Sequence, residues 1–159
     1  MENWGAFKDW ITFGIALLGA GLGILNYWNA ISQRRVRLRV RPTYALAVPA
    51  GETMFSIEVV NLSNFAVTIT EVGFTLDGRT AKKTRAGIPK PIIMDGQPWP
   101  RRLQSREAVS AFLHPGEVYR AGGRIGRAYA HTSCGEFAYG TSPALRQLSK
   151  IIDEGRARK

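Results

Sequence analysis

Residues 10–41 read WITFGIALLGAGLGILNYWNAISQRRVRLRVR, and within this stretch the pattern changes its period once. From Trp10 to Gln33 no side chain carries a charge, and Ile11 to Leu25 is built almost entirely from Ile, Leu, Ala, Gly and Phe. About 20 residues at about 1.5 Å rise cover the hydrocarbon core of a bilayer, so residues 10–31 are predicted to form a transmembrane helix. Trp10 at one end, and Tyr27 and Trp28 at the other, stand where amphipathic rings seek the two headgroup regions. Beyond Arg35 the apolar Val36, Leu38 and Val40 alternate with Arg37, Arg39 and Arg41. Period two belongs to a half-buried strand, so a sheet begins almost where the helix ends.

Two other readings of the apolar run fail on its flanks and its composition. A cleavable leader opens with a basic segment and closes on small residues, whereas here Glu2 and Asp9 outweigh Lys8 and the run closes on Asn26-Tyr27-Trp28-Asn29. A helix buried in a soluble domain would be weakened by Gly14, Gly19, Gly21 and Gly23, which membrane spans tolerate. Arg34, Arg35, Arg37, Arg39 and Arg41 after the span, against Lys8 before it, place residues 1–9 outside and the C-terminal domain in the cytoplasm. The single cysteine, Cys134, suits a reducing compartment and excludes an internal disulfide. Asn61-Leu62-Ser63 has the form of a glycosylation sequon, which has no meaning on that side; it reads as a turn.

The rest of the chain is mainly β. A strand segment continues beyond Pro42 through Tyr44, Leu46 and Val48, which puts the proline at an edge or a bulge. Phe55, Ile57 and Val59 mark the next strand, the Asn61–Asn64 run a connection, and Ala66–Leu76 a third strand with a bulge near Thr70 and Glu71. Asp77-Gly78 closes a hairpin. Residues 79–100, with four prolines from Pro89 to Pro100 around a short Ile92-Ile93-Met94 strand, read as a long surface connection. Ala108–Leu113, Ile125–Thr132 and Phe137–Tyr139 complete the strands, with Arg127, Tyr129 and His131 on one face. Ser142 then caps an amphipathic helix with Pro143 at its first position and Leu145, Leu148, Ile151 and Ile152 as its apolar stripe. Six or seven short strands over residues 32–141, followed by a C-terminal helix and basic tail at 142–159, predict an immunoglobulin-like β-sandwich.

The stretches Val59-Val60-Asn61 and Val67 through Phe74, with Arg127 through Gly135 and Tyr139 through Leu145, resemble a group of small membrane-anchored proteins of bacteria and their phages. In that group one N-terminal span precedes a β-sandwich. The resemblance covers residues 10 to about 152 and implies the architecture, a bacterial or phage origin, and hence the bacterial inner membrane. It brings no activity with it.

Groups for catalysis are sparse. His131 and Cys134 lie three apart, a spacing that points to opposite faces of a strand, and His114 is the only other imidazole. Glu52, Asp77, Asp95, Glu117 and Glu136 fall singly in or beside turns. Gly122-Gly123-Arg124-Ile125-Gly126 lacks the Lys and Ser/Thr of a phosphate loop and precedes a strand. The sequence therefore predicts no enzyme, no cofactor and no metal.

Charge is the stronger signal. The chain carries a formal net charge of +10, and beyond residue 33 there remain 21 basic and 10 acidic side chains. Sixteen of the basic residues are arginines, which suit bidentate contact with phosphates. Arg34, Arg35, Arg37, Arg39 and Arg41 are expected against the anionic lipids of the inner leaflet. Lys82, Lys83 and Arg85, with Arg101, Arg102 and Arg106, form a second predicted basic surface. With only Trp99 beside them, and with no recognised nucleic-acid module, the pattern argues against nucleic acid.

Two function classes fit: a non-catalytic membrane-tethered module that binds another protein, and a membrane-active protein whose spans oligomerise, as in phage lysis or superinfection exclusion. Gly19 and Gly23, four apart, give the span a small-residue face for a homodimer. Replacing both by Leu is expected to reduce self-association in a membrane reporter assay, and unchanged association removes that interface.

Overall fold

A computed structural model of the chain describes residues 3–47, 52–77, 84–116 and 124–157. It divides into two compact units, Met1–Arg35 and Val36–Lys159. The first is a single helix, α1 (Asn3–Gln33), which begins seven residues before the predicted span. Trp10 is 75% exposed, Leu18 70% and Trp28 72%, so its apolar side chains are uncovered. Among the described residues it is the one helix long and apolar enough to cross a membrane, over Lys8–Ile31.

The second unit is mainly β. The strands are β1 (Leu38–Ala47), β2 (Glu52–Asn61), β3 (Val67–Asp77), β4 (Thr84–Ile88), β5 (Arg101–Leu103), β6 (Ala108–Leu113), β7 (Arg124–Thr132) and β8 (Phe137–Gly140), and a helix, α2 (Pro143–Ala157), ends the unit. They form two antiparallel sheets: β1-β2-β6, and β4-β3-β7-β8 with β5 also paired to β3. The predicted alternation orders both. Val40, Phe55, Ile57, Val59, Val109 and Leu113 from one sheet share a core with Val67, Ile69, Phe74, Leu103 and Ala128 from the other. Arg39 and Arg41 stay exposed on the opposite face of β1, and Arg37, just before it, is exposed too.

Several expectations are refined. Pro42 does not divide β1; it lies inside one continuous strand, opposite Ile57, and β1 is an edge strand, where a missing N–H is tolerated. The expected irregularity near Thr70 and Glu71 is a register shift between Ile69 and Glu71, and a second shift lies between Phe74 and Leu76. The stretch read as one long connection contains β4 and is followed directly by β5, a strand the sequence reading did not mark, while the Ile92-Ile93-Met94 strand shrinks to a single bridge from Ile92 to Phe112. The predicted Asp77-Gly78 turn falls partly outside the described residues, and the Gly122-Gly123 pair wholly so. In α2, Leu145, Leu148 and Ile152 are buried, but Ile151 is 54% exposed and does not belong to the packed stripe.

The sequon asparagine is fully buried. Asn61 Nδ2 donates to the carbonyls of Phe65 (2.7 Å), Leu103 (3.1 Å) and Gln104 (3.1 Å), while Oδ1 accepts from the Ser63 N–H (2.9 Å). A side chain so engaged is no glycan acceptor. Asn61→Ala would orphan buried backbone groups at about 1–3 kcal/mol each. The expected result is a loss of roughly 3 kcal/mol, read as a lower denaturant midpoint of the full chain.

Candidate functional site

The outer face of the larger sheet carries the polar chemistry of the domain. On β7, Ala128, Ala130 and Thr132 are buried toward the core side, so Arg127, Tyr129 and His131 share the other face, as the sequence predicts. Antiparallel pairing sets His131 against Phe137 and Tyr129 against Tyr139. His131 stacks on Phe137 with centroids 4.1 Å apart, and the Phe137 and Tyr139 rings lie nearly parallel at 6.4 Å. From β4 the Arg85 guanidinium sits 3.9 Å above the Phe137 ring and donates to the Tyr139 hydroxyl at 3.4 Å. A cation over a ring is held in place without being neutralised.

Beneath this layer the Tyr129 hydroxyl donates to Glu71 Oε1. Gly87 leaves room for that carboxylate, since a Cβ there would collide with it. Burial, then the hydrogen bond to Glu71 and its negative charge, push the Tyr129 phenol well above the usual tyrosine range.

Beside the ring layer lies a cleft of about 600 Å³ lined by Thr75, Arg85, Gly126, Arg127, Tyr139, Thr141 and Arg146. The second register shift positions Arg127: Thr75 Oγ1 accepts from the Arg127 N–H (2.7 Å) and donates to the Arg127 carbonyl (3.3 Å), pinning the irregularity. Such irregularities re-aim side chains. Arg146 comes from the first turn of α2, where Ser142 Oγ accepts from the Leu145 N–H (3.0 Å) and the Ser142 carbonyl from the Arg146 N–H (3.2 Å). Buried Leu145 fixes the helix rotation and leaves Arg146 exposed beside Thr141. Among the described residues the lining comprises three arginines, two threonines, a tyrosine and Gly126, with no Asp or Glu.

Of the second predicted basic surface, Lys82 and Lys83 lie outside the described residues, and Arg85 lines the cleft. Arg101 does not present its charge: it is paired to Asp95 (2.9 Å) and Glu107 (3.2 Å). Arg102 and Arg106 are exposed, but Arg102 sits opposite Thr68 whereas Arg85 sits opposite Thr75. Seven positions along β3 separate them by roughly 23 Å, so the single region expected from sequence is two. Trp99 donates from Nε1 to the Thr70 carbonyl (3.1 Å) and packs on the core rather than offering a ring for stacking.

Cys134 stands in the β7–β8 turn, its sulfur 3.1 Å from the Thr132 hydroxyl, while His131 is held in its ring stack. Among the described residues no three His, Cys, Asp or Glu side chains converge as a metal would require. In the first unit, Trp10, Tyr27, Trp28, Arg34 and Arg35 are exposed, and an added Cβ at Gly19 or Gly23 would meet open space. Sequence reasoning missed Arg146 and Thr141 as partners of Arg127; the available signal was Ser142-Pro143, which starts α2 directly after β8. Compared with known families and with curated proteins, the chain matches no family model and no curated sequence.

The phenol of Tyr129 is favoured in its neutral form in the folded state. The stability it contributes is therefore complete below the unfolded tyrosine value of about 10 and is lost as pH rises through the higher native value. In denaturant titrations across alkaline pH, wild-type stability is expected to fall above about pH 10, and Tyr129→Phe to flatten that fall.

Proposed function

We propose that this chain is a non-catalytic, single-pass membrane-anchored interaction module of bacterial or phage origin. In this reading α1 crosses the bacterial inner membrane with the N-terminus outside, and the basic domain stands at the cytoplasmic face. The observation that carries it is an uncovered apolar helix joined through an arginine run to a separately folded β-rich unit. That charge asymmetry is the one the positive-inside rule reads. Arg34, Arg35, Arg37, Arg39 and Arg41 would meet anionic headgroups, each contributing about 1 kcal/mol near a charged surface.

The strand orders support an immunoglobulin-like sandwich for the second unit. With β1, β2 and β6 as strands A, B and E, and β3, β4, β7 and β8 as C, C′, F and G, one sheet reads A-B-E and the other C′-C-F-G. A scaffold of this kind commonly binds protein through loops and edges, an analogy of fold, and it supports a protein partner here. Gly19 and Gly23 support a homodimer through the span.

The test is the full chain expressed in bacteria with a C-terminal reporter that is active only in the cytoplasm, followed by crosslinking in intact cells. An active reporter and one dominant crosslinked protein are expected. A reporter active only in the periplasm overturns the topology. If residues 1–33 on a neutral carrier permeabilise the membrane as the full chain does, the oligomerising membrane-active reading replaces this one.

A further inference from the structure

We infer that the cleft between the end of the larger sheet and α2 binds an organic phosphate carrying at least two negative charges, through Arg85, Arg127 and Arg146. The inference is independent of the membrane reading, because every residue in it belongs to the second unit.

Three guanidiniums around one cavity repel one another, and a fold keeps such an arrangement at low cost only when counter-charge enters. Two other arginines of this unit are answered from within the protein, Arg101 by Asp95 and Glu107 and Arg124 by Asp153 at 3.6 Å, while, among the described residues, Arg37, Arg39, Arg41, Arg102 and Arg106 stand exposed outside any cleft that gathers them. Arg85, Arg127 and Arg146 have no ion pair among the described residues, and no carboxylate lines the space they share. Each is also positioned by something other than charge. Arg85 is set by the Phe137 ring and the Tyr139 hydroxyl, Arg127 by the irregularity pinned on Thr75, and Arg146 by the capped first turn of α2. At Arg85 the fork itself is held, and at Arg127 and Arg146 the backbone that carries it is, an arrangement that favours planar or tetrahedral oxyanions.

The remaining lining narrows the ligand. A volume of about 600 Å³ exceeds what a lone inorganic anion fills and falls in the usual range for small-molecule sites. Thr141 offers a hydroxyl to a phosphate oxygen or a sugar. Tyr139, 43% exposed, offers a ring edge and face to the organic part. Two sources share this chemistry: a soluble phosphoester such as a nucleotide, and the headgroup of a phosphomonoester lipid.

The test is calorimetric titration of the full chain in neutral detergent with ADP, with inorganic pyrophosphate, and with a short-chain soluble phosphatidic acid. Saturable binding of at least one probe is expected, weakened about tenfold or more by Arg127→Gln and again by Arg146→Gln, and unchanged by Arg102→Gln at the far end of β3. Binding of ADP or pyrophosphate identifies a soluble ligand, and binding of phosphatidic acid alone identifies a lipid headgroup. Thermal unfolding without ligand checks that each variant folds; where the double variant does not, Arg146→Gln alone, at an exposed position, decides. Absence of binding at millimolar probe, or an equal loss in Arg102→Gln, overturns the site.

Discussion

The end of the core is closed by one buried carboxamide. Asn61 ends β2, and its side chain reaches the carbonyl of Phe65, before β3, and those of Leu103 and Gln104, at and just after β5. Its backbone continues the β2–β6 edge, accepting from the Arg106 N–H and donating to the Glu107 carbonyl. Ser63, turned by the Asn61 side chain, bonds both the N–H and the carbonyl of Arg37 at the entry to β1. Segments from both sheets thus meet at one buried residue, where leaving any of these groups without a partner is expensive. The two sheets hold their relative placement at this end because the polar atoms there have so few other places to go.

Strong local periods made much of this architecture legible. Alternation in β1 and β6 follows from one buried face, and in β2 and β7 it shows through although Ser56 and Tyr129 on the other side are buried as well. The uncharged run of α1 and the Ser-Pro start of α2 are likewise signals confined to neighbouring residues. Strands β4 and β5 were not legible, because Thr84–Ile88 and Arg101–Leu103 are short and carry weak apolar patterns. Their partner, β3, is supplied by a distant part of the chain. Prolines around them resemble those of a surface connection until the pairing is known.

The site was legible only in part, for the same reason. Arg127 could be assigned to the outer face of a strand by counting, and Arg85 to a basic cluster. Nothing local links either to Arg146, which arrives because Leu145, Leu148 and Ile152 dock α2 onto the core. Arg101 shows the converse. Counted as surface charge, it lies six residues from both Asp95 and Glu107, and the chain around β5 bends so that both carboxylates reach it. Charge clusters in a sequence record composition; only the fold decides which charges are answered.

Edge strand β1 has a further consequence. Any unpaired strand edge can recruit a strand from another molecule and so seed a growing ribbon of identical chains. Here the centre of that edge is Pro42, which lacks the N–H that such a ribbon would need, and Arg37, Arg39 and Arg41 add mutual repulsion between copies. Gly140 at the end of β8 lies so close to the Val40 carbonyl that even a methyl group there would collide, which further shields the strand. At high local concentration, copies of a chain meet edge to edge far more often than in dilute solution. The proline and the arginines of β1 make those encounters unproductive, so that crowding need not become polymerisation.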